Sequence, residues 1–260
     1  MKRIFISLII IFLFENCNKK KPDVALNYFA DDFEKYKTTA DLVGTADDQW
    51  TEFNINEINI STNPISIDTM IVHSGKQSVR FDCTQLDSTS IDVVGKCNLN
   101  KGNLYFAQGE TVYYSCWYYL QRTDTNFGTF FIWDLEEIVE GSLGVRVMVW
   151  KDNVELERRK IGAPNIFQQE PVVHFPFNQW FHVELEIGLS QYHNKNGFVK
   201  MWLDNQQVLD KKNVRTLPKD VLNLGYNTAG FYDRLQVGIT AKNQSHELVL
   251  NVDDLEIKKK

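Results

Sequence analysis

Short alternating runs, broken by turn residues, recur along most of this chain and leave it little choice of fold. In "QWFHVELEIGLS", Phe181, Val183, Leu185 and Ile187 fall on one side of an extended backbone, and Trp180, His182, Glu184 and Glu186 on the other. Alternation with period two belongs to a strand that has one buried and one outward face. Further runs are "KQSVRFDC", "ETVYYSCWYYLQ", "GTFFIWDLE", "LGVRVMVWKD", "DRLQVGITA" and "HELVLNVDDLEI". "GFVKMWL" and "QQVLD" flank Asp204-Asn205. That pair tolerates left-handed φ, so it predicts a two-residue hairpin turn with Val199, Met201 and Leu203 toward the core. Long helical periodicity and internal repeats are absent, and a few helical residues are expected only near "ADDFEKYK" or "LPKDVLN". So many short strands at this spacing predict an all-β sandwich or jelly roll of two antiparallel sheets. With 260 residues, 43% of them hydrophobic, the chain can bury one large core.

The first residues lie outside that pattern. "MKRIFISLIIIFLFENC" opens on Lys2 and Arg3, runs through apolar Ile4 to Phe14 and reaches Cys17, followed by "NKKKPD". The apolar run has the length of a signal-peptide core and is too short to span a bilayer comfortably. The arrangement resembles a bacterial lipoprotein signal, in which the cysteine becomes the lipidated first residue. "FEN" before Cys17 departs from the commonest small-residue pattern and is similar to the looser one of Bacteroidetes-type lipoproteins. The expected layout is a signal peptide over 1–16, lipidated Cys17 with a polar tether over 17–26, and one β-sandwich domain over 27–260. Such a protein sits outside the cytoplasm in the cell envelope, expected at a bacterial outer membrane, and meets the membrane only through its lipid. A net charge of −6 without a basic stripe argues against a nucleic-acid partner. Beyond Cys17 the cysteines are Cys83, Cys97 and Cys116. An oxidising compartment permits a Cys83–Cys97 bridge, and three buried thiols are the alternative.

"DDFE", "HSGKQSVRF", "GETVYYSCWYYL", "NQWFHVELEI", "NGFVKMWLDNQQV" and "VDDLEI" follow one another in an order that resembles the concanavalin-like jelly-roll superfamily. Within it the likeness is to polysaccharide lyases of the heparin-lyase and alginate-lyase type and to related carbohydrate-binding modules. The resemblance implies two stacked antiparallel sheets, one of them curved into a groove for a glycan chain. It also implies a structural calcium that ties the first strand to the last. Asp32, Glu34 and Asp253 would supply carboxylates and the "HSGK" turn would supply carbonyls, toward the six to eight oxygens that calcium takes.

Lyases of this type abstract a proton alpha to a uronate carboxyl group. They need a group that neutralises the carboxylate, and a base within reach of the proton. The alginate-lyase type carries Gln-x-His on a groove strand. The corresponding stretch here, "FFIWDLEE", has none, and "GYNTAGFYDRLQVGI" offers Tyr226 and Tyr232 without the expected motif around them. A catalytic set would therefore draw on His182, Arg146 and Tyr232, with Tyr226 in reserve. Glu184 and Glu186 share the face of His182 and also suit a paired-carboxylate glycosidase, although the fuller glucanase signature is missing. Binding demands less: an aromatic ring under the apolar face of a sugar, with polar groups beside it. Trp117, Trp133, Trp150, Trp180 and Trp202 are the candidate platforms, of which two or three at most are expected to reach a ligand. Trp117, Trp150, Lys200 and Trp202 form the expected ligand set. The sequence thus points to a lipid-anchored, extracytoplasmic polysaccharide-binding protein. The alternative is a divergent lyase that cleaves a uronate-containing glycan by β-elimination.

Overall fold

A computed structural model describes residues 25–56, 61–83, 94–122, 128–137, 143–150, 152–159, 161, 163–192, 196–218, 230–242 and 247–260. The signal segment 1–16, Cys17 and Tyr226 lie outside the described residues. In chain order the strands are β1 (Tyr28–Asp31), β2 (Glu52–Ile55), β3 (Ile65–Asp68), β4 (Ser78–Cys83), β5 (Val94–Lys101), β6 (Phe106–Ala107), β7 (Thr111–Gln121), β8 (Thr129–Glu137) and β9 (Leu143–Trp150). They continue with β10 (Asn153–Arg159), β11 (Ile166–Phe167), β12 (Trp180–Gly188), β13 (Phe198–Leu203), β14 (Gln206–Lys212), β15 (Phe231–Tyr232), β16 (Arg234–Lys242) and β17 (Leu248–Lys259). Among the described residues the helical content is one short 3-10 turn, Thr39–Leu42, just past "ADDFEKYK".

The strands form two large antiparallel sheets, as the alternation predicts. An eight-stranded sheet runs β14-β13-β12-β7-β17-β4-β3, with β1 added along β17. A seven-stranded sheet runs β11-β10-β9-β8-β16-β5-β2. Strand β7 alternates without a break: Val112, Tyr114, Cys116, Tyr118 and Leu120 are fully buried, and the residues between them are half-buried. The predicted inward faces of β12 and β13 hold, since Val183, Leu185, Ile187, Val199, Met201 and Leu203 are all fully buried. Against them pack Leu135, Val145, Val147, Val149, Leu235, Val237 and Ile239 of the other sheet. Each such side chain contributes about 1.5–3 kcal/mol relative to exposure. The β13–β14 turn is made by Asp204 (φ 46) and Asn205 (φ 66), the left-handed pair that a tight hairpin requires.

Besides a register shift between Met201 and Trp202 in the β13–β14 hairpin, two bulges set which residues face outward. In β17 the register shifts between Asp253 and Glu256, and Asp254 takes φ 47. The strand pairs with β4 before the shift and with β1 after it. In the other sheet the shift lies between Phe131 and Trp133 of β8, facing Val237 to Thr240 of β16. Gly238 lies in that gap at φ 135, and a Cβ there would come within 2.4 Å of the Cys97 carbonyl oxygen. Only glycine fits such a crowded, positive-φ position.

Cys83, Cys97 and Cys116 are all buried thiols without a disulfide. The Cys83–Cys97 bridge is therefore not formed, and the alternative of three buried thiols holds.

The N-terminal strand is anchored by one carboxylate. Asp31 is 3% exposed and accepts hydrogen bonds from Tyr36 Oη (2.7 Å), Trp50 Nε1 (2.8 Å) and the Phe33 backbone N–H (3.0 Å). Phe33 stacks on Trp50 at a centroid distance of 6.4 Å, and Phe29 meets the same indole edge-on at 5.0 Å. Burial raises the Asp31 pKa, which its three donors oppose. Replacing Asp31 by Ala orphans those donors inside the core. The expected cost is about 3 kcal/mol, read as a lower urea midpoint with an unchanged slope. A variant within about 0.5 kcal/mol of the parent protein would show that the anchor carries no load.

Candidate functional site

Because strand side chains alternate, each sheet offers one outward face, and the two faces differ in chemistry. Across the seven-stranded sheet, antiparallel register aligns Glu157, Arg146, Asp134, Gln236, Asn100 and Glu52 in one row over β10, β9, β8, β16, β5 and β2. A neighbouring row reads Glu155, Met148, Phe131, Thr240 and Lys96. Outward polar groups on an open wall would be exposed. Here Asn98, Asn100, Asp134, Glu136, Glu155 and Gln236 are each at most 8% exposed, so they form the floor of a recess.

The floor is held by paired charges. Arg146 donates through Nε to Glu157 Oε2 (2.7 Å) and lies 3.6 Å from the centroid of the Phe131 ring. The second Glu157 oxygen accepts from Asn165 Nδ2 (2.9 Å). Arg234 donates through Nε to Glu136 Oε2 (2.9 Å), and Gln236 Nε2 donates to the same oxygen (3.0 Å). Asn100 donates to Glu52 Oε1 (2.6 Å), while its own carbonyl oxygen is buried with no partner among the described residues. A buried acceptor left so costs about 1–3 kcal/mol unless a ligand or water fills it. At the β11 edge of this face a cleft of about 760 Å³ opens, lined in part by Met148, Trp150, Glu155, Ile166 and Gln168.

The outward face of the eight-stranded sheet is aromatic. His73 stacks on Trp117 at 3.9 Å, and Trp117 stacks on His182 at 4.6 Å. Trp180 meets His73 edge-on at 5.5 Å. His182 Nε2 lies 2.8 Å from Ser115 Oγ, and its backbone N–H donates to Asp204 Oδ1 (2.8 Å). Burial pulls the His182 pKa below the usual imidazole value, and Glu184 and Asp204 only partly offset it. Lys200 belongs to this face too, with Nζ 3.7 Å from Glu186 Oε2, and Trp202 lies opposite Glu184 in register.

The expected catalytic residues therefore do not meet. Arg146 is on one outward face and His182 on the other, with sheets about 10 Å apart and a packed core between. Tyr232 is fully buried and donates to the Thr216 carbonyl, and burial raises its pKa well above the ordinary phenol value. The expected ligand set is split as well. Trp150, 43% exposed, lies in the cleft of the seven-stranded sheet, whereas Trp117, Lys200 and Trp202 lie on the opposite side. Trp133 is in the core, 1% exposed. The row through Asp134, Gln236 and Asn100 carries no motif in the sequence. Its only signal was that "WDLEE", "RLQVG" and "CNLN" each place a polar residue between buried apolar ones.

Asp32, Glu34 and Asp253 lie near the junction of β1, the 73–77 turn and β17, where they accept backbone N–H groups. Glu34 Oε1 accepts from Lys76 (2.7 Å) and Gln77 (3.0 Å), and Asp32 Oδ1 accepts from Glu34 (3.1 Å). Asp253 Oδ2 accepts from His73 (3.0 Å) and Ser74 (3.2 Å). Burial pushes the Asp253 carboxyl up to about 6. Among the described residues no group of three His, Cys, Asp or Glu side chains gathers to hold a metal ion.

Comparison with known proteins gives the following. The family model described as polysaccharide lyase matches residues 43–255. None of the curated proteins compared matches the chain. Among solved structures the chain is similar to an endo-beta-1,4-glucuronan lyase from the fungus Trichoderma reesei, with 13% identity, 81% of this chain and 91% of that one covered, and a TM-score of 0.61. It is similar to a mutant of the alginate lyase Aly36B in complex with alginate tetrasaccharide, with 12% identity, 91% and 98% covered, and a TM-score of 0.60. It is also similar to the cellulose induced protein Cip1, with 16% identity, 88% and 95% covered, and a TM-score of 0.59. At these identities the structural likeness is one of fold.

The histidine geometry carries a solution test. In the folded protein His182 should titrate below the ordinary value of about 6.5, visible as the pH course of its imidazole NMR signals. A base whose folded pKa is depressed contributes stability above its unfolded pKa, and that stability is lost as pH falls. A His182→Gln variant should flatten the acid side of the stability curve, and an ordinary His182 midpoint would contradict the buried stack.

Proposed function

The chain belongs to the polysaccharide lyase family, and we propose that it is a lipid-anchored, extracytoplasmic protein that binds a polysaccharide along the outward face of the seven-stranded sheet. The observation that carries this reading is the polar row from Glu157 to Glu52, whose middle members Asp134, Gln236 and Asn100 are buried, beside the row of Glu155 and Met148 that lines a cleft with a half-exposed tryptophan. Carboxylate, amide and guanidinium groups in such a row can bond sugar hydroxyls, and Trp150 offers a ring face. The buried Asn100 oxygen is an acceptor that a hydroxyl would satisfy.

Binding is favoured over cleavage because β-elimination needs a carboxylate neutraliser and a base at one carbon. Arg146 is already engaged by Glu157, His182 faces away from this groove, and Tyr232 is bonded inside the core. The alternative, a divergent lyase acting on a uronate-containing glycan, rests on the family and would need another base.

Calcium does not fit the surroundings of Asp32, Glu34 and Asp253 as they stand. Backbone N–H hydrogens, rather than oxygens, point at Glu34 and Asp253. These donors already offset the carboxylate charge that a cation would neutralise. The anchor is proposed from Cys17 and the apolar run before it.

Two measurements test these readings. Incubation with a panel of neutral and anionic glycans should give binding to at least one without the ultraviolet absorbance of an unsaturated uronide. His182→Ala should retain that binding. Uronide absorbance that grows with time establishes the lyase instead, and no binding to any glycan removes the proposal. Addition of a chelator should leave the melting temperature unchanged. A fall of several degrees, reversed by calcium, would restore the ion.

A further inference from the structure

The cleft at the β11 edge has a feature that the polar row does not explain. Glu155 is 6% exposed and lines it, yet makes no hydrogen bond or ion pair among the described residues. Its cross-strand neighbour is Met148, and Ile166 and Phe167 also line the cleft. Burial raises its pKa, and no neighbouring charge opposes that rise. Beside it Trp150 is 43% exposed, although indole rings are mostly buried. A partly solvent-exposed indole next to a carboxyl group that makes no hydrogen bond or ion pair among the described residues leaves room for a ligand. A hydroxyl-bearing ring lying on the indole fits that room, by stacking below and bonding Glu155 at its edge.

Charge decides which ring. Arg146 and Arg234 face this side of the sheet, and each is engaged by a glutamate. Lys211 is the one cation that lines the cleft among the described residues. A uronate carboxylate in the cleft would lie beside Glu155 in a recess, where two carboxylates either repel strongly or must take up a proton, and both outcomes cost affinity. An uncharged sugar meets no such opposition.

We propose that the cleft between Trp150 and Glu155 is a subsite for an uncharged sugar residue, so that the glycan recognised is neutral here rather than a continuous uronate polymer. This rests on the glycan-binding reading above. It departs from the acidic polymers named for the similar glucuronan and alginate lyases.

The test is titration calorimetry on the folded chain lacking residues 1–16, at one fixed ionic strength. The ligands are neutral gluco-, xylo- and manno-oligosaccharides, set against oligomers of alginate, glucuronan and polygalacturonate. At least one neutral oligomer should bind about tenfold more tightly than every uronate oligomer. Trp150→Ala should lose about tenfold for that neutral ligand at an unchanged melting temperature. Glu155→Gln should narrow the discrimination against uronates by at least about threefold, measured as the ratio of neutral to uronate affinity in the same variant. Tighter binding of a uronate oligomer than of any neutral one overturns the proposal but leaves glycan binding intact. So does parental affinity in Trp150→Ala, or unchanged discrimination in Glu155→Gln. No binding to either class overturns this inference and the reading it rests on together.

Discussion

Two sheets stacked about 10 Å apart share one interior, and each strand residue must point into it or away from it. This choice between two directions governs everything else in the molecule. It fills the interior with β7, β12 and β17 on one side and β8, β9 and β16 on the other. It also gives the protein two outward faces that cannot cooperate on one small substrate. The acidic and amide-rich face and the face with stacked histidines and tryptophan are separate surfaces, each with its own chemistry. A chemical centre has to be assembled within one of them.

Much of the fold was legible in the sequence because period two is a local signal. The inward faces of β12 and β13 follow from Phe181 to Ile187 and from Val199 to Leu203, and Asp204-Asn205 makes the turn between β13 and β14. Which strands become neighbours was not legible. The pairing of β17 with both β7 and β4 joins segments more than 100 residues apart, and no short window of sequence records it. A bulge is only half visible. In "VDDLEI" the doubled aspartate interrupts the alternation but does not show which of the two turns inward: Asp254 takes φ 47, and Asp253 is wholly buried and meets the 73–74 turn.

The candidate site was less legible for a related reason. His182, Arg146 and Tyr232 were grouped by chemical type, but grouping in space depends on which sheet each strand joins. The residues that do align across the groove face, among them Asp134, Gln236 and Asn100, carry no motif. The resemblance implies a cation at the acids near both ends of the chain. In the fold backbone N–H groups of the 73–77 turn offset the charge of Glu34 and Asp253, and Asp32 accepts from the Glu34 N–H. Sequence shows that carboxylates are concentrated there. It does not show whether an ion or the peptide backbone answers them.

The three buried thiols have a consequence if the protein works outside the cytoplasm, as proposed above. Exchange and alkylation need an accessible thiolate. Burial pushes the Cys83 thiol up to about 12 and Cys116 higher still, and Cys97 is fully enclosed. While the sandwich stays closed, an oxidising compartment would find none of these three thiols to act on. Opening the sandwich would expose them, and a bridge between any two would then hold the chain away from a fold that has none. In such a compartment, closure of the core would also be what keeps these three thiols reduced.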